Sequence, residues 1–224
     1  MKPLFPILST ALLLASCTGT ADQVQETEAA KDSTATPTAT AWVGSYADTL
    51  PCADCPGIFT RLELRPDSTY IRRDLYLERD SIPFGEIGRW SVQGDVLTLA
   101  TGDVPDRWRM GANGLEMLDQ EGKAVESPLN YTLRRVAGVA PSSMRLSGGY
   151  VYYADAHSFT PDGSNQAIPV AADSISMELG KLYTQKVQSP PAPMPVRIVA
   201  HLQEGPAMEG NGTEEYLYVE RAEQ

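Results

Sequence analysis

From Trp42 to about Val136 the chain is broken every few residues by turn signals, and this rhythm restricts its fold more than any other feature. The segments between turns follow a period of two. Ile58, Thr60, Leu62 and Leu64 alternate with Phe59, Arg61 and Glu63, the pattern of a half-buried strand. Pro66-Asp67-Ser68 turns the chain, and Thr69-Tyr70-Ile71 begins the return. Trp90 and Val92 lead into Gly94-Asp95, and Val96, Leu97 and Leu99 lead out, which predicts a tight hairpin. Trp108 and Met110, then Gly111-Ala112-Asn113-Gly114, then Leu115, Met117 and Leu118 predict a second one. Asp119-Gln120-Glu121-Gly122 turns again, and Tyr131 and Leu133 lie on a closing strand. Many short antiparallel strands at regular spacing predict a barrel or a sandwich, with Trp42, Trp90 and Trp108 inside it.

Gly138 to Ser143 reads as a linker, and from Met144 the order of elements changes. Met144 to Tyr153 is strand-like, Ala156 to Thr160 continues it after a bend, and Pro161-Asp162-Gly163-Ser164-Asn165 turns into a third strand, Ala167 to Val170. Asp173 is placed to N-cap a helix running to about Val187, with Ile175, Leu179, Leu182 and Tyr183 on one face. Pro190-Pro191-Ala192-Pro193 ends it. Val196 to Leu202 and Tyr216 to Val219 are the last strands, joined by a Gly-rich loop at 205–212. Three strands, a helix and two strands is the order of an OB-fold. The fold class expected is thus all-β dominated, a barrel followed by an OB-like barrel with one helix. OB-folds often bind nucleic acid, but the formal net charge of -11 and the lack of a basic aromatic platform argue against that here. The same charge argues against direct adhesion to anionic headgroups. The second domain is expected to serve protein contact.

The N-terminus sets the compartment. Met1-Lys2, an apolar run through Leu4, Phe5, Ile7, Leu8 and Leu12-Leu13-Leu14, and Ala15-Ser16-Cys17 have the form of a secretory signal peptide. The run is short of the roughly 20 residues a transmembrane helix needs. Leu14-Ala15-Ser16-Cys17 resembles a bacterial lipobox. That resemblance implies that Cys17 is acylated, becomes the mature N-terminus and anchors the chain to a bacterial membrane. Thr18 stands where Asp would favour inner-membrane retention, so the outer membrane is expected. Residues 18–41 are Thr, Ala, Ser, Glu, Gln and Asp without apolar periodicity, a disordered tether. The expected organisation is a signal peptide over 1–17, a tether over 18–41, a barrel over 42–137 and an OB-like domain over 144–224.

With Cys17 assigned to lipid, Cys52 and Cys55 are the remaining thiols, in Pro51-Cys52-Ala53-Asp54-Cys55-Pro56-Gly57. Three chemistries are open to them. An oxidising envelope favours a disulfide that stiffens the loop, and so small a ring contributes about 2 kcal/mol. A catalytic dithiol ordinarily sits at a helix N-terminus, where the dipole lowers the first thiol's pKa; here prolines flank the pair and a strand follows. Soft metal is the third. Two cysteines do not complete a tetrahedral zinc site, and His157 and His201 lie in the other domain. Copper(I) accepts two thiolates, with Met110 and Met117 as thioether candidates, although methionine on a barrel strand is more often core filler. Asp54 reads as a turn residue. The sequence holds no Ser-His-Asp constellation, phosphate loop or paired carboxylates with catalytic spacing, so no enzymatic activity is expected.

Taken together, Trp42-Val-Gly-Ser-Tyr46, Leu50-Pro-Cys-Ala-Asp-Cys-Pro-Gly57, Gly88-Arg-Trp-Ser-Val92, Leu115-Glu-Met-Leu-Asp-Gln-Glu-Gly122 and Asn130-Tyr-Thr-Leu133 resemble the NlpE family of envelope lipoproteins. Gly149-Tyr-Val-Tyr-Tyr-Ala-Asp-Ala156 and Phe159-Thr160 extend the resemblance into the second half. It implies a lipocalin-like first barrel and an OB-like second domain on an outer-membrane lipoprotein facing the periplasm. It also implies copper tolerance and signalling of envelope or surface-contact stress to the Cpx sensor histidine kinase. The alternative is a carrier of copper or of a small apolar ligand without a signalling role. Better-known members carry further cysteines in the second domain as a redox-sensitive disulfide. No cysteine follows Cys55 here, and Asp162 stands about where the first would be, so that switch does not carry over.

Overall fold

The computed structural model describes residues 39–100, 104–138, 140–208 and 210–223. The expected signal peptide, Cys17 and the expected tether as far as residue 38 lie outside them. Residues 39–41, expected in the tether, form with Trp42 the helical turn α1 (Ala39–Trp42). Trp42 is fully buried and joins the barrel core ahead of the first strand.

Eight antiparallel strands follow: β1 (Gly44–Leu50), β2 (Ile58–Leu64), β3 (Thr69–Tyr76), β4 (Phe84–Gln93), β5 (Val96–Ala100), β6 (Asp106–Gly111), β7 (Gly114–Leu118) and β8 (Thr132–Val136). Their order is β4-β3-β2-β1-β8-β7-β6-β5, and a β4–β5 ladder from Arg89↔Ala100 to Gln93↔Val96 closes the barrel. Both expected hairpins form, β4–β5 around Gly94, which has φ 64°, and β6–β7.

Two layers fill the interior. At the α1 end Trp42, Tyr46, Leu62, Leu64, Tyr70, Leu97, Leu99, Trp108, Leu115 and Leu133 form the apolar core, each at most 1 % exposed. Trp90 joins it and donates its indole N–H to Arg65 O at 3.1 Å. Towards the other end the inward positions are polar. Thr60 donates to Asp74 Oδ1 at 2.6 Å, Arg72 Nε lies 2.8 Å from Asp74 Oδ2, and Arg72 also bonds Asp106. Burial pulls the Arg72 guanidinium down, but Asp74, Asp106 and Glu86 together hold it above its ordinary value. Apolar and ion-paired side chains thus share the barrel interior, at opposite ends.

The second domain is built from β9 (Met144–Tyr153), β10 (Ala156–Pro161), β11 (Ile168–Pro169), α2 (Ser174–Lys186), β12 (Met194–Pro206) and β13 (Thr213–Glu223). Where the sequence suggested a bend, Ala154 and Asp155 adopt φ 50° and 61° and make a hairpin turn. The order β11-β10-β9-β12-β13 is closed by a parallel bridge, Val170↔Leu217. Helix α2 begins as expected. The Asp173 carboxylate accepts from the Ile175 and Ser176 N–H groups at 2.9 and 2.8 Å, while Ser176 Oγ accepts from Asp173 N at 2.8 Å. This reciprocal capping box satisfies donors that the helix leaves free. The helix buries Leu179, Gly180 and Tyr183 against the sheet.

The two barrels meet at β4. Strand β5 is half the length of β4 and leaves the Phe84 end of its edge open, a surface prone to unwanted pairing. Strand β9 covers that end through a parallel bridge, Phe84↔Arg145, and Arg145 N donates to Pro83 O at 2.8 Å. Ile71 and Ile87 lie opposite each other on the outside of the first barrel, yet they belong to the core of the second, beside Met144, Leu146 and Val219. Arg65 forks onto Glu215 with bonds of 2.6 and 2.9 Å at the far side of this seam. Ile71→Ala is expected to cost about 3 kcal/mol through cavity formation, read as a fall in the urea midpoint at unchanged m-value. A cost below about 1 kcal/mol would contradict a packed seam.

Candidate functional site

Strands β1 and β2 end in the pair Leu50↔Ile58, and the loop between them carries the cysteines. Cys52 and Cys55 are bonded to each other, with their Cα atoms 5.4 Å apart. The loop is held at both sides. Gly57 is buried, and a Cβ there would lie 2.4 Å from Thr49 Cγ2. Its carbonyl accepts from Leu77 N at 3.0 Å, and Asn130 Nδ2 donates to Thr49 O at 2.9 Å. Arg79, in the β3–β4 loop, donates to Asp54 O at 2.6 Å and pairs with Asp54 Oδ2 at 2.9 Å. Asp54 is therefore a turn residue, clamped by an arginine. The ion pair is largely exposed and adds little stability by itself; its effect is to fix geometry.

The clamp continues into the seam. Asp80, next to Arg79, lies 3.1 Å from Arg145 Nη1, which also donates to Ile82 O at 2.8 Å. Arg145 Nε reaches Glu223 Oε1 at 3.3 Å on the last strand. A chain of polar contacts thus runs Asp54–Arg79, Asp80–Arg145 and Arg145–Glu223, from the disulfide loop to β9 and β13. Sequence reasoning did not find Arg79, Asp80 or Arg145. Their partners lie 25, 65 and 78 positions away, and no local pattern announces such pairs.

The structure separates the other candidate ligands from the sulfurs. Met110 pairs with Leu115 beside the β6–β7 turn, at the opposite end of the barrel from the cysteine loop. Met117 is two strands away from β1. Both pack against the apolar core. His201 Nδ1 lies 2.8 Å from Glu220 Oε1 and stacks on Tyr218. His157 stacks on Tyr152 and hydrogen-bonds Tyr150 through Nδ1, under α2. Among the described residues no group of three or more His, Cys, Asp or Glu is arranged to hold a metal ion. The pair alone fits copper(I), as two thiolates, and only after reduction.

Two outcomes test this geometry. Gly57→Ala should destabilise the chain by about 2 kcal/mol, because the new methyl group overlaps Thr49; Thr49→Ala should restore much of that loss in the double variant, measured as a coupling energy in urea. Burial pushes the His157 imidazole below its ordinary value, with Asp173 opposing. Folding thus favours the neutral ring. Its contribution is full above the unfolded value of about 6.5 and is lost as the pH falls below that and through the lower folded value. The urea midpoint should fall from pH 7 to 5, and fall less in His157→Phe.

Comparison with known proteins agrees with these two halves. A family model described as the NlpE N-terminal domain matches residues 46–128, and one described as the NlpE C-terminal OB domain matches residues 140–224. Lipoprotein NlpE of Escherichia coli (strain K12) is 35% identical over 172 residues, covering 75% of this chain and 70% of that one. Among solved structures, the Cpx pathway activator NlpE from Escherichia coli is 31% identical, over 80% of this chain and 94% of that chain, with a TM-score of 0.35. A putative lipoprotein from Shewanella oneidensis is also 31% identical, over 44% and 91%, with a TM-score of 0.38. By the two domain matches and the identity to its relative, the chain belongs to the NlpE family.

Proposed function

We propose that this chain is an envelope stress-sensing lipoprotein. Acylated at Cys17, it sits in the outer membrane facing the periplasm and signals to a membrane sensor histidine kinase by protein contact. Family membership, with relatives described as a lipoprotein and as a Cpx pathway activator, supports the reading. The observation in this chain that carries it is the run of contacts from Asp54 through Arg79, Asp80 and Arg145. It ties the condition of one exposed loop to the seam between two domains, which is what a sensor without an active site requires. The disulfide holds the loop. Two electrons and two protons from an envelope dithiol convert it to two thiols, with the dithiol oxidised to a disulfide. The freed loop then loosens its hold on Arg79 and, through Asp80, on the seam.

Copper enters at the same loop. The Cys52 and Cys55 positions are only half-buried, so reduced sulfurs at the barrel rim are reachable by copper(I), and binding would displace the two thiol protons. Copper tolerance would follow from capture or from signalling. No enzymatic activity is assigned.

Cross-linking in cells, with and without copper or reductant, should capture the periplasmic domain of a sensor kinase with the native chain. Failure to do so under every condition would remove the signalling reading. Copper(I) stoichiometry on purified protein should be one in the reduced chain and near zero in the oxidised chain and in Cys52→Ser. Unchanged binding in Cys52→Ser would exclude the pair as the copper site.

A further inference from the structure

A separate charge imbalance lies on the outer face of β2 and β3, the face that carries Ile71 and Arg65 to the second domain. Arg61 and Arg73 are directly opposite each other in the ladder and so share one face. Like charges in that arrangement repel. Arg61 is half-buried and lies over the Phe59 ring, 5.1 Å from its centroid. Arg73 is only 4 % exposed, and its Nε has no hydrogen-bond partner among the described residues. The nearby carboxylates are already engaged: Arg65 takes Glu63 at 2.9 Å and Glu215 at 2.6 Å. Among the described residues three guanidinium groups therefore face two carboxylates, and the most buried of the three has no ion pair. Burial draws the Arg73 guanidinium below its ordinary value; Arg65 and Arg61 push the same way, against Glu63 and Glu215.

A buried cation without an anion is costly, and replacing it with an apolar side chain is ordinarily neutral or stabilising. The arrangement makes physical sense if an anion completes it. We propose that Arg73 and Arg61 form a binding site for a small oxyanion, of the carboxylate or phosphate type, at the seam between the barrel and the OB domain. Two guanidinium groups provide the forked N–H donors that planar and tetrahedral oxyanions accept. The half-buried Arg61 marks the side open to solvent, and Arg73 the buried wall. A bound anion would stabilise the folded chain by mass action, since the two arginines are brought together only by the folded β2–β3 ladder. The site is independent of the cysteine loop and of the proposed signalling role.

The test is thermal unfolding of the full chain in chloride, acetate or inorganic phosphate at matched ionic strength. One or both oxyanions should raise Tm saturably, by about 3 °C at ten times Kd. Acetate and phosphate acting alike would indicate a carboxylate-type ligand, and phosphate acting alone a phosphate-type one. In Arg61→Gln only the general salting effect of the anion should remain. In Arg73→Met the oxyanion increment should also vanish, while Tm in chloride should equal or exceed that of the native chain. The same oxyanion increment in Arg61→Gln as in the native chain would overturn the proposal. So would a marked loss of Tm in chloride for Arg73→Met, because it would mean that Arg73 is already satisfied.

Discussion

Strand β4 forms hydrogen bonds with more neighbours than any barrel strand can share evenly, and the rest of the structure depends on how that conflict is resolved. Its first half pairs with β3 and touches β9; its second half pairs with β5. Barrel closure and domain docking thus use the same ten residues. The short partner strand leaves an edge, and the second domain covers it. The outward side chains Ile71 and Ile87 then become core residues of the domain they meet. A seam that began as leftover hydrogen-bonding capacity becomes an apolar contact flanked by ion pairs.

The cysteine loop gains its meaning from that seam. By itself it is a small ring on a barrel rim, with its thiols spent and, among the described residues, no further metal ligands grouped with it. The β3–β4 loop places Arg79 against the ring and Asp80 against the second domain, so adjacent residues face different structures. Neither contact is strong, since both involve side chains with solvent access. Weak, specific contacts suit a coupling element, because small changes at one end need not overcome a large stability at the other.

Much of the fold is legible in the residues, for local reasons. The alternation in Ile58–Leu64, the turn glycine at 94 and the capping carboxylate of Asp173 each act within a few positions and appear as expected. The misses are all non-local. Alternation identifies which side chains share a face, but not what covers that face. Ile71 points away from its own barrel and is still almost wholly buried. Arg72 points inward, where period-two reasoning expects apolar residues, and is tolerated because three strands supply carboxylates to it. For the cysteines, the residues alone left disulfide and copper open. The bonded sulfurs, and the packing of Met110 and Met117 against the core, turn copper binding into a question about redox state.

All three tryptophans, Trp42, Trp90 and Trp108, lie in the core of the first barrel, whereas the second core is built around Tyr150, Tyr183 and Phe159. The indole chromophore is therefore confined to one half of the chain. Light absorbed by tryptophan alone reports on the barrel whatever happens to its neighbour. The protein carries a built-in optical label for the half that holds the cysteines, and that barrel can be watched without attaching a dye.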